Sequence, residues 1–407
     1  MGKTVILGAG ASGRAAARLA EKLGMTPVVL TDDTFTADGM DWGELVVASP
    51  GVPPKSPMYR AAKASGVPMI SEMEFGARHF SGRIVAITGT DGKTTTTELV
   101  TALLTAAGEN ARPAGNIGVP LSVLAADDFA GIAVVEVSSF QLELVDGFAP
   151  EAAAILNISM DHRDRYPGGE AEYRAVKFRI FDHVPAAGRV FGRTMPELTP
   201  KPNVLLMDGA FWVNGKLLVR TDELALKGEH NFENVGVALE LASRVLPEAR
   251  LFAPETVAAL KGFRSGPHRI ETVLERNGIR YVNDSKATNP HAVAASIRAL
   301  SPEGKIRFRM LMGGLDKGMD FSMLVPFCGE IAGAYLFGAC REKIRTALGG
   351  VPCMDFGTDF EAAIRAACRD ARPGEIVLLA PGCASMDMFR DYRERGDRFR
   401  DCVLREV

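Results

Sequence analysis

A glycine-rich turn at positions 88–95, Thr-Gly-Thr-Asp-Gly-Lys-Thr-Thr, carries the residue types that point most directly to chemistry. An apolar run precedes it and a helical pattern follows it. The glycines let backbone N–H groups surround phosphate oxygens, Lys93 can reach terminal phosphates, and a threonine hydroxyl can bind magnesium. The predicted ATP-binding residues here are Gly89, Thr90, Asp91, Gly92, Lys93, Thr94 and Thr95. Only two residues separate the glycines, where the general phosphate-loop pattern has four, so an ordinary threonine-capped turn is the alternative.

A second glycine pattern, Gly8-x-Gly10-x-x-Gly13, follows a short apolar run at the start of the chain. Asp32 comes about twenty residues later, which completes the form of a dinucleotide-binding fingerprint. An NAD-dependent dehydrogenase is one interpretation of this pattern. The same turn can also hold the pyrophosphate of a nucleotide-linked substrate, and the second nucleotide site downstream favours that interpretation. A tight turn without a ligand is the third.

Three further polar residues, Glu136, His162 and Lys177, could meet near the phosphate-binding turn. Glu136 and His162 follow separate apolar runs of one predicted parallel sheet, and ligands bind at the carboxyl ends of such strands. A carboxylate and an imidazole could hold a divalent cation, although magnesium prefers oxygen ligands. Taken alone, a histidine such as His162 is more often a polar residue with its hydrogen bonds made within the protein than a metal ligand. A lysine such as Lys177 is more often a solvated side chain.

The totals describe a globular protein of several domains. The chain has 407 residues, of which 47% are hydrophobic and 24% charged. This length predicts roughly two to four domains. A net charge of −3 gives no overall field that would attract nucleic acid or an anionic membrane. We therefore expect no nucleic-acid partner.

The sequence also bears on location. The chain shows no apolar run of membrane-spanning length and begins directly with a strand-like segment, which predicts a cytoplasmic protein without a signal peptide. Its six cysteines lie in the last quarter without metal-site spacing, so we expect reduced thiols. Nothing in the sequence demands a partner chain, and a monomer is expected.

Apolar runs alternate with helical patterns along the chain, which predicts an α/β protein with parallel sheets. An Asn277-Gly278 pair between apolar runs predicts a hairpin at the start of the last unit. We predict three domains, at residues 1–82, 83–266 and 267–407. The first and third should be Rossmann-like, and the central domain should carry the phosphate-binding loop.

Taken together, these motifs resemble the Mur ligases, the ATP-dependent amide ligases of peptidoglycan synthesis, over nearly the whole chain. The matching stretches are 49–51, 88–95, 115–118, 136–143, 161–166, 228–231, 268–271, 283–289 and 383–397. Two of them, Ser-Ser-Phe-Gln-Leu-Glu at 138–143 and Asp-Ser-Lys-Ala-Thr-Asn at 284–289, are typical of the members that add D-glutamate.

The resemblance implies that the first domain binds UDP-N-acetylmuramoyl-L-alanine, the second ATP with Mg²⁺, and the third D-glutamate. The implied UDP-substrate residues are Gly10, Ala11, Ser12, Gly13, Asp32, Ser49, Gly51 and Asn116. The further residues implied to contact ATP are Asn231, Arg269 and Asp284. The implied glutamate-binding residues are Lys286, Thr288, Lys317, Ser385 and Tyr392.

The resemblance also implies a mechanism in which the substrate carboxylate takes the γ-phosphate of ATP and glutamate then displaces phosphate from the acyl phosphate. The implied catalytic residues are Lys93, Glu136, His162 and Lys177. Lys177 is implied to be carbamylated, which turns a cation into an oxygen ligand. The implied metal-binding residues are Thr94, Thr95, Glu136, His162 and the Lys177 carbamate.

Three departures from the family pattern are visible. Tyr392 stands where a phenylalanine is usual, residues 184–227 form a short segment, and Ala-Pro-Gly at 380–382 replaces Ser-Pro-Ala. Among other functions, a folylpolyglutamate synthase would share the ATP chemistry but not the Gly8 to Gly13 unit. A dehydrogenase would leave Lys93 and Glu136 unexplained, and an inactive binder should lack one of them. The residues alone do not distinguish D- from L-glutamate.

Overall fold

The computed structural model describes residues 2–36, 40–159, 161, 165–192, 195, 202–264, 266–316 and 318–407. The chain divides into two compact units. The first comprises residues 1–159, 170–226 and 231–263, and the second residues 160–169, 227–230 and 264–407. This division separates the predicted third domain from the remainder near residue 264. The three-domain boundaries themselves stay a prediction.

The first unit begins with a four-stranded parallel sheet. Its strands are β1 (Lys3–Leu7), β2 (Thr26–Leu30), β3 (Leu45–Ala48) and β4 (Met69–Ser71), with helices α1 (Ala11–Lys22), α2 (Pro57–Ala64) and α3 (Glu72–Arg78). The strand order is β2-β1-β3-β4, so the chain changes direction across the sheet between β1 and β3. Such a change of direction opens a crevice at the carboxyl ends of the strands, where ligands bind in this class of fold.

A five-stranded parallel sheet follows in the same unit, in the order β6-β7-β5-β8-β9. Its strands are β5 (Arg83–Thr88), β6 (Ala111–Gly115), β7 (Ile132–Glu136), β8 (Ala152–Ile155) and β9 (Arg189–Phe191). Its helices are α4 (Lys93–Ala106), α5 (Leu121–Ala126), α6 (Ser139–Leu142) and α7 (Glu170–Phe178). Both faces of the sheet are covered. Val85 and Ile87 pack in one hydrophobic cluster while Ala86 packs in another, as strand alternation requires.

The remainder of this unit contains a three-stranded antiparallel sheet and three helices. The elements are β10 (Val204–Met207), β11 (Ala210–Val213), β12 (Lys216–Arg220), α8 (Glu229–Val245), α9 (Glu248–Leu251) and α10 (Pro254–Gly262). The sheet lies within the segment identified above as short for the family, and the motif analysis had not predicted it. Two glycine turns connect its strands, with Asn214 and Gly215 both at positive φ in the second.

The second unit contains a six-stranded sheet in the order β13-β14-β18-β15-β16-β17. Its strands are β13 (Glu271–Arg276), β14 (Ile279–Asn283), β15 (Phe308–Gly313), β16 (Ile331–Phe337), β17 (Cys353–Asp355) and β18 (Ile376–Gly382). Its helices are α11 (Pro290–Leu300), α12 (Arg341–Ala347), α13 (Phe360–Asp370) and α14 (Tyr392–Glu406). Only the β13–β14 pair is antiparallel.

Two sequence predictions, the fold class and a hairpin, are confirmed by this architecture. The fold is mixed α/β with parallel sheets. The Asn277-Gly278 hairpin forms as predicted, because both residues adopt the positive φ that a tight two-residue turn requires. All six cysteines are free thiols. Among the described residues, no helix is both long and apolar enough to cross a membrane.

Candidate active site

The phosphate-binding turn connects β5 to α4, as the sequence predicts. Gly92 precedes the helix with a φ of 80°, and a side chain at this position would collide with the Asn234 side chain of α8. A glycine caps α4 without a side-chain hydrogen bond. The N–H groups of the first helical turn therefore keep their capacity to bind an anion, and the helix dipole favours negative charge there.

Asn157, in the loop after β8, holds the turn in shape. Its side-chain oxygen accepts hydrogen bonds from the backbone N–H groups of Thr90 at 3.1 Å and Asp91 at 2.9 Å. The Thr90 hydroxyl donates to the Ser159 carbonyl at 2.9 Å and accepts from the Ser159 N–H at 2.9 Å. These bonds fix the first half of the turn, so its conformation does not depend on a ligand.

Glu136 lies at the end of β7, next to β5, and only 1% of its surface is exposed. One carboxylate oxygen accepts a hydrogen bond from the Thr94 hydroxyl at 2.6 Å, and the other accepts one from the Asn116 side-chain amide at 2.6 Å. The sequence had placed Asn116 with the UDP-substrate residues. In the structure its side chain contacts the candidate metal-binding carboxylate.

Two lysines converge on a single carbonyl oxygen of the turn. Lys93 donates to Gly89 O at 2.9 Å and to Thr90 O at 2.8 Å. Lys177, on α7, also donates to Gly89 O at 2.9 Å and lies 4.7 Å from the centre of the Tyr173 ring. Lys177 is 1% exposed, so the alternative of a solvated lysine is wrong, and its functional role stays a prediction.

The metal-binding set of the sequence prediction is partly described by the structure. Thr94, Glu136 and Lys177 lie at the same end of the sheet, and Thr95 is buried on the same helical turn as Thr94. His162 lies outside the described residues. Among the residues that are described, no group of three or more His, Cys, Asp or Glu side chains could hold a metal. A cation here would need hydroxyl, phosphate or carbamate oxygens besides Glu136.

The glycine turn at the start of the chain connects β1 to α1. A side chain at Gly13 would collide with the carbonyl oxygen of Gly8. The helix therefore lies so close to the turn that only glycine fits at this position. Ser49, directly after β3, lies beside both glycines. Its hydroxyl is buried and has no hydrogen-bond partner among the described residues. A buried hydroxyl without a partner is costly, which makes it a candidate to bind a ligand.

The other predicted residues of this region lie at the same edge of the first sheet. Asp32 follows β2 and is exposed, and Gly51 is exposed two residues after Ser49. Gly10 precedes α1 without a side-chain cap, and Ala11 and Ser12 form its first turn. This edge therefore presents the backbone donors of a second helix N-terminus.

In the second unit, two loops that carry predicted glutamate-binding residues lie side by side. Lys286 and Thr288 follow β14, and Ser385 follows β18, the neighbouring strand. The Gly382 N–H donates to Ala287 O at 2.8 Å, which joins the two loops directly. The Lys286 ammonium lies 4.0 Å from the centre of the Tyr392 ring. Lys317 lies outside the described residues.

Two predicted ATP-contacting residues of this unit lie near each other. Asp284 is buried and accepts hydrogen bonds from the Ser296 hydroxyl and, at 3.3 Å, the Ile270 N–H. Burial raises its pKa to about 6, while Ser296 and Arg269 act in the opposite direction. Arg269 stands between two non-glycine residues with positive φ, His268 at 66° and Ile270 at 47°. Such strain at a β-branched residue is typical of functional sites.

Comparison with known proteins identifies the family of the chain. Residues 87–195 match the Mur ligase middle domain, and residues 268–383 match the Mur ligase glutamate ligase domain. A UDP-N-acetylmuramoylalanine–D-glutamate ligase from Acidobacterium capsulatum is 39% identical, over 89% of this chain and 82% of its own length. The enzyme of the same name from Escherichia coli K12 is 36% identical, over 97% of this chain and 96% of its own.

The chain belongs to the Mur ligases.

The solved structures agree on the fold of this Mur ligase. UDP-N-acetylmuramate-alanine ligase MurC from Thermotoga maritima has a TM-score of 0.64, and the alignment covers 100% of both chains. The sequence identity is 17%, so this similarity concerns the fold alone. It confirms the predicted fold class, and the two relatives confirm the family and an ATP-dependent ligase activity.

The sequence prediction assigned no role to two side chains that shape the glycine turn before α4. Asn157 binds the phosphate turn, and Asn234 packs against Gly92 and donates to Asn231 at 3.4 Å. The signal for Asn157 was its position directly after a buried strand, where a polar residue reaches the ligand edge of the sheet. Asn234 stands three residues after Asn231, so the two share one helix face.

Proposed function

We propose that this Mur ligase joins D-glutamate to UDP-N-acetylmuramoyl-L-alanine, using ATP to form an acyl phosphate first. The observation that carries the proposal is the arrangement of Lys93, Thr94 and Glu136 at the carboxyl edge of the five-stranded sheet. A lysine and a helix N-terminus suit anionic phosphates, and a hydroxyl beside a carboxylate suits a divalent cation. The names of the two relatives support the choice of substrates.

Binding of the ATP phosphates would use the turn at Gly89 to Thr95. The Lys93 ammonium donates to two loop carbonyls, and rotation of its side chain can exchange these acceptors for phosphate oxygens. Asn231, Arg269 and Asp284 are proposed as further ATP contacts. The strained backbone around Arg269 supports a functional role for it.

The residues of this edge fit a magnesium ion. Thr94 and Glu136 supply hard oxygen atoms 2.6 Å apart, which is the ligand type that Mg²⁺ prefers. Thr95 and His162 complete the proposed set. When bound, Mg²⁺ would neutralise phosphate charge during transfer. Asn116 donates to Glu136 and so fixes the orientation of its carboxylate.

Carbamylation of Lys177 is part of the proposal. The Lys177 and Lys93 ammonium groups each lie 2.9 Å from Gly89 O, which brings two cations within about 6 Å of one another. At an effective dielectric constant near 20, this repulsion costs about 3 kcal/mol. A carbamate at Lys177 would replace the repulsion with attraction and add an oxygen ligand for the metal.

The UDP portion of the substrate would bind at the turn between β1 and α1. Gly10, Ala11, Ser12 and Gly13 would supply backbone donors to the pyrophosphate. Ser49 supports this assignment, because its buried hydroxyl lacks a partner in the part of the chain that the structure describes. Asp32, Gly51 and Asn116 complete the proposed group.

In the proposed reaction, a carboxylate oxygen of the L-alanine residue attacks the γ-phosphorus of ATP and ADP leaves. Lys93 stabilises the charge on the transferred phosphoryl group. Glutamate then loses its ammonium proton, and the free amine attacks the acyl carbon. The tetrahedral intermediate collapses by breaking the bond to phosphate, and the nitrogen loses a second proton to give the amide. Catalysis depends mainly on alignment of these groups.

Glutamate itself would bind at the two joined loops of the second unit. Lys286, Thr288 and Ser385 offer one cation and two hydroxyl groups for its carboxylates. The Tyr392 ring supports the Lys286 ammonium from one side. Lys317 is proposed as the fourth polar contact.

The proposal can be tested by measuring phosphate release from ATP with UDP-N-acetylmuramoyl-L-alanine and D-glutamate, L-glutamate or no amino acid. We expect release with D-glutamate, and loss of at least a hundredfold in Lys93→Ala because a main phosphate contact is removed. Lys216→Ala, which removes an exposed lysine paired with Glu248, is the control and should retain activity. Full activity in a folded Lys93→Ala variant would contradict the assignment.

A further inference from the structure

Arg395, in the first turns of α14, is the largest side chain that is fully buried within the described chain. Its Nε donates to the Ser285 hydroxyl at 3.0 Å, and one Nη donates to the Ser285 carbonyl at 2.8 Å. The other Nη donates to the Cys383 carbonyl at 3.2 Å. Every one of these acceptors is neutral.

None of these acceptors carries a charge, and the exposed carboxylate of Asp387 attracts the guanidinium only from beyond ion-pair distance. Within the part of the chain that the structure describes, no carboxylate lies within ion-pair distance of Arg395. Arg309 of the same unit shows the usual arrangement, because Glu375 pairs with it at 2.8 Å. Burial lowers the pKa of Arg395 to about 10, which still leaves it charged at neutral pH. Burying a charge without a hydrogen-bonded counter-ion is costly, so a fold that does so needs another reason for it.

The contacts of Arg395 supply such a reason. Ser285 stands one residue before Lys286 and three before Thr288, and Cys383 stands two residues before Ser385. The guanidinium thus connects the loop after β14 to the loop after β18. The loop after β15 passes it as well, since a side-chain carbon at Gly314 would lie 3.2 Å from Nη1. This third loop leads to position 317.

We propose that Arg395 is the positioning residue of the amino-acid site, and that its charge is the buried counter-charge that selects a dicarboxylic acceptor. It does not touch the acceptor. It holds the loops that do, and its positive field lies directly behind them. This inference rests on the proposed function of these loops in binding glutamate. It accounts for the neutral acceptors, because a carboxylate hydrogen-bonded to the guanidinium would cancel more of its field than the more distant Asp387 does.

A purely structural arginine would behave differently. Loss of a buried structural group lowers stability and reduces the amount of folded enzyme, which lowers the apparent kcat for all substrates alike. Loss of a positioning residue with a local field changes the KM of one substrate. The KM values for glutamate, ATP and UDP-N-acetylmuramoyl-L-alanine therefore distinguish the two roles.

The experiment compares Arg395→Met and Arg395→Lys with the parent enzyme by phosphate release and by urea unfolding. Met removes the charge and the hydrogen bonds at similar length, and Lys keeps the charge alone. We expect the KM for D-glutamate to rise about tenfold or more in Arg395→Met and by less in Arg395→Lys. The other two KM values should change less than twofold. Preference for glutamate over glutamine should fall in Arg395→Met.

Arg309→Met is the matched control, since it removes a mostly buried arginine of the same unit that pairs with a carboxylate. It should lower stability without changing the KM for glutamate. Ser285→Ala removes the acceptor of Nε and, because it retains Arg395, provides the same test in a milder form if Arg395→Met does not fold. An unchanged KM for glutamate in a folded Arg395→Met variant would overturn the inference. If Arg395→Met does not fold, unchanged KM values in the two single variants Arg395→Lys and Ser285→Ala would overturn it. A parent enzyme without glutamate-dependent phosphate release would instead overturn the proposed function.

Discussion

Glu72, the first residue of α3, makes the free energy of unfolding of the first unit depend on pH. Its side chain is 1% exposed. One oxygen accepts a hydrogen bond from the Ser122 N–H of α5 at 2.9 Å, and the other has no partner within the described ranges. Burial raises the pKa of this carboxyl from 4.5 to about 7, against the smaller opposing effect of Ser122. The folded protein therefore prefers the protonated form.

The sign follows from the proton balance. Between pH 4.5 and about 7 the folded state binds more protons at Glu72 than the unfolded state does. The free energy of unfolding therefore decreases as the pH rises through this window. The shift from 4.5 to about 7 corresponds to about 3 kcal/mol, which is present below pH 4.5 and lost above pH 7.

Glu72→Gln should remove this dependence, because the amide does not titrate. Urea unfolding at about pH 5 and pH 8 measures it, and the stability difference between parent and variant should change by roughly 2 to 3 kcal/mol. The chain has two tryptophans, Trp42 and Trp212, and both lie in the first unit, so tryptophan fluorescence reports on that unit. A difference that is equal at both pH values would refute the reasoning.

The control for this experiment is Glu74→Gln on the same helix. Glu74 is also buried, but Arg78 pairs with it at 2.7 Å and the Gly147 N–H donates to it at 2.9 Å. Removal of the charge leaves Arg78 without this partner. The variant should therefore be less stable than the parent at both pH values.

Two further predictions concern the proposed reaction. Lys177→Ala should lose activity because the carbamate oxygen is lost, and acetate or formate should restore part of it in phosphate-release assays; the absence of any rescue would argue against the carbamate. Tyr392→Leu should raise the KM for glutamate about fivefold by removing the ring 4.0 Å from the Lys286 ammonium, whereas Tyr392→Phe keeps the ring and should change it little. Equal effects of Leu and Phe would show that the hydroxyl matters instead.

Features of the site that depend on residues close together in the sequence could be predicted from it. The phosphate turn is one of them, because an apolar strand, two glycines and a helix occupy consecutive positions. The convergence of Glu136 with this turn was also predictable, since polar residues after parallel strands meet at one edge. The antiparallel sheet β10–β12 was missed although its turns, Asp208-Gly209 and Asn214-Gly215, carry the residues typical of tight hairpins.

Features that depend on tertiary packing could not be predicted in this way. In the sequence, Arg395 is one of many arginines in a charged C-terminal helix. Only its burial against Ser285 and Cys383 in the structure distinguishes it from the others. The sharing of Gly89 O by two lysines depends on the place of α7 over the turn, which spacing does not reveal. Lys177 itself was identified through resemblance. The predicted monomer, the compartment and the three domain boundaries stay predictions.

The cations of the two units suggest how a chain with a net charge of −3 handles substrates that are all anionic. Lys93 donates to two backbone carbonyls, and Arg395 to two carbonyls and a hydroxyl. Carbonyl oxygens satisfy N–H groups without neutralising the charge, so each field remains available to a phosphate or carboxylate. A carboxylate partner would have stabilised either cation at the expense of that field. Cations that are held by neutral acceptors therefore attract anions only at the sites where binding residues surround them. A basic overall composition would attract anions less selectively.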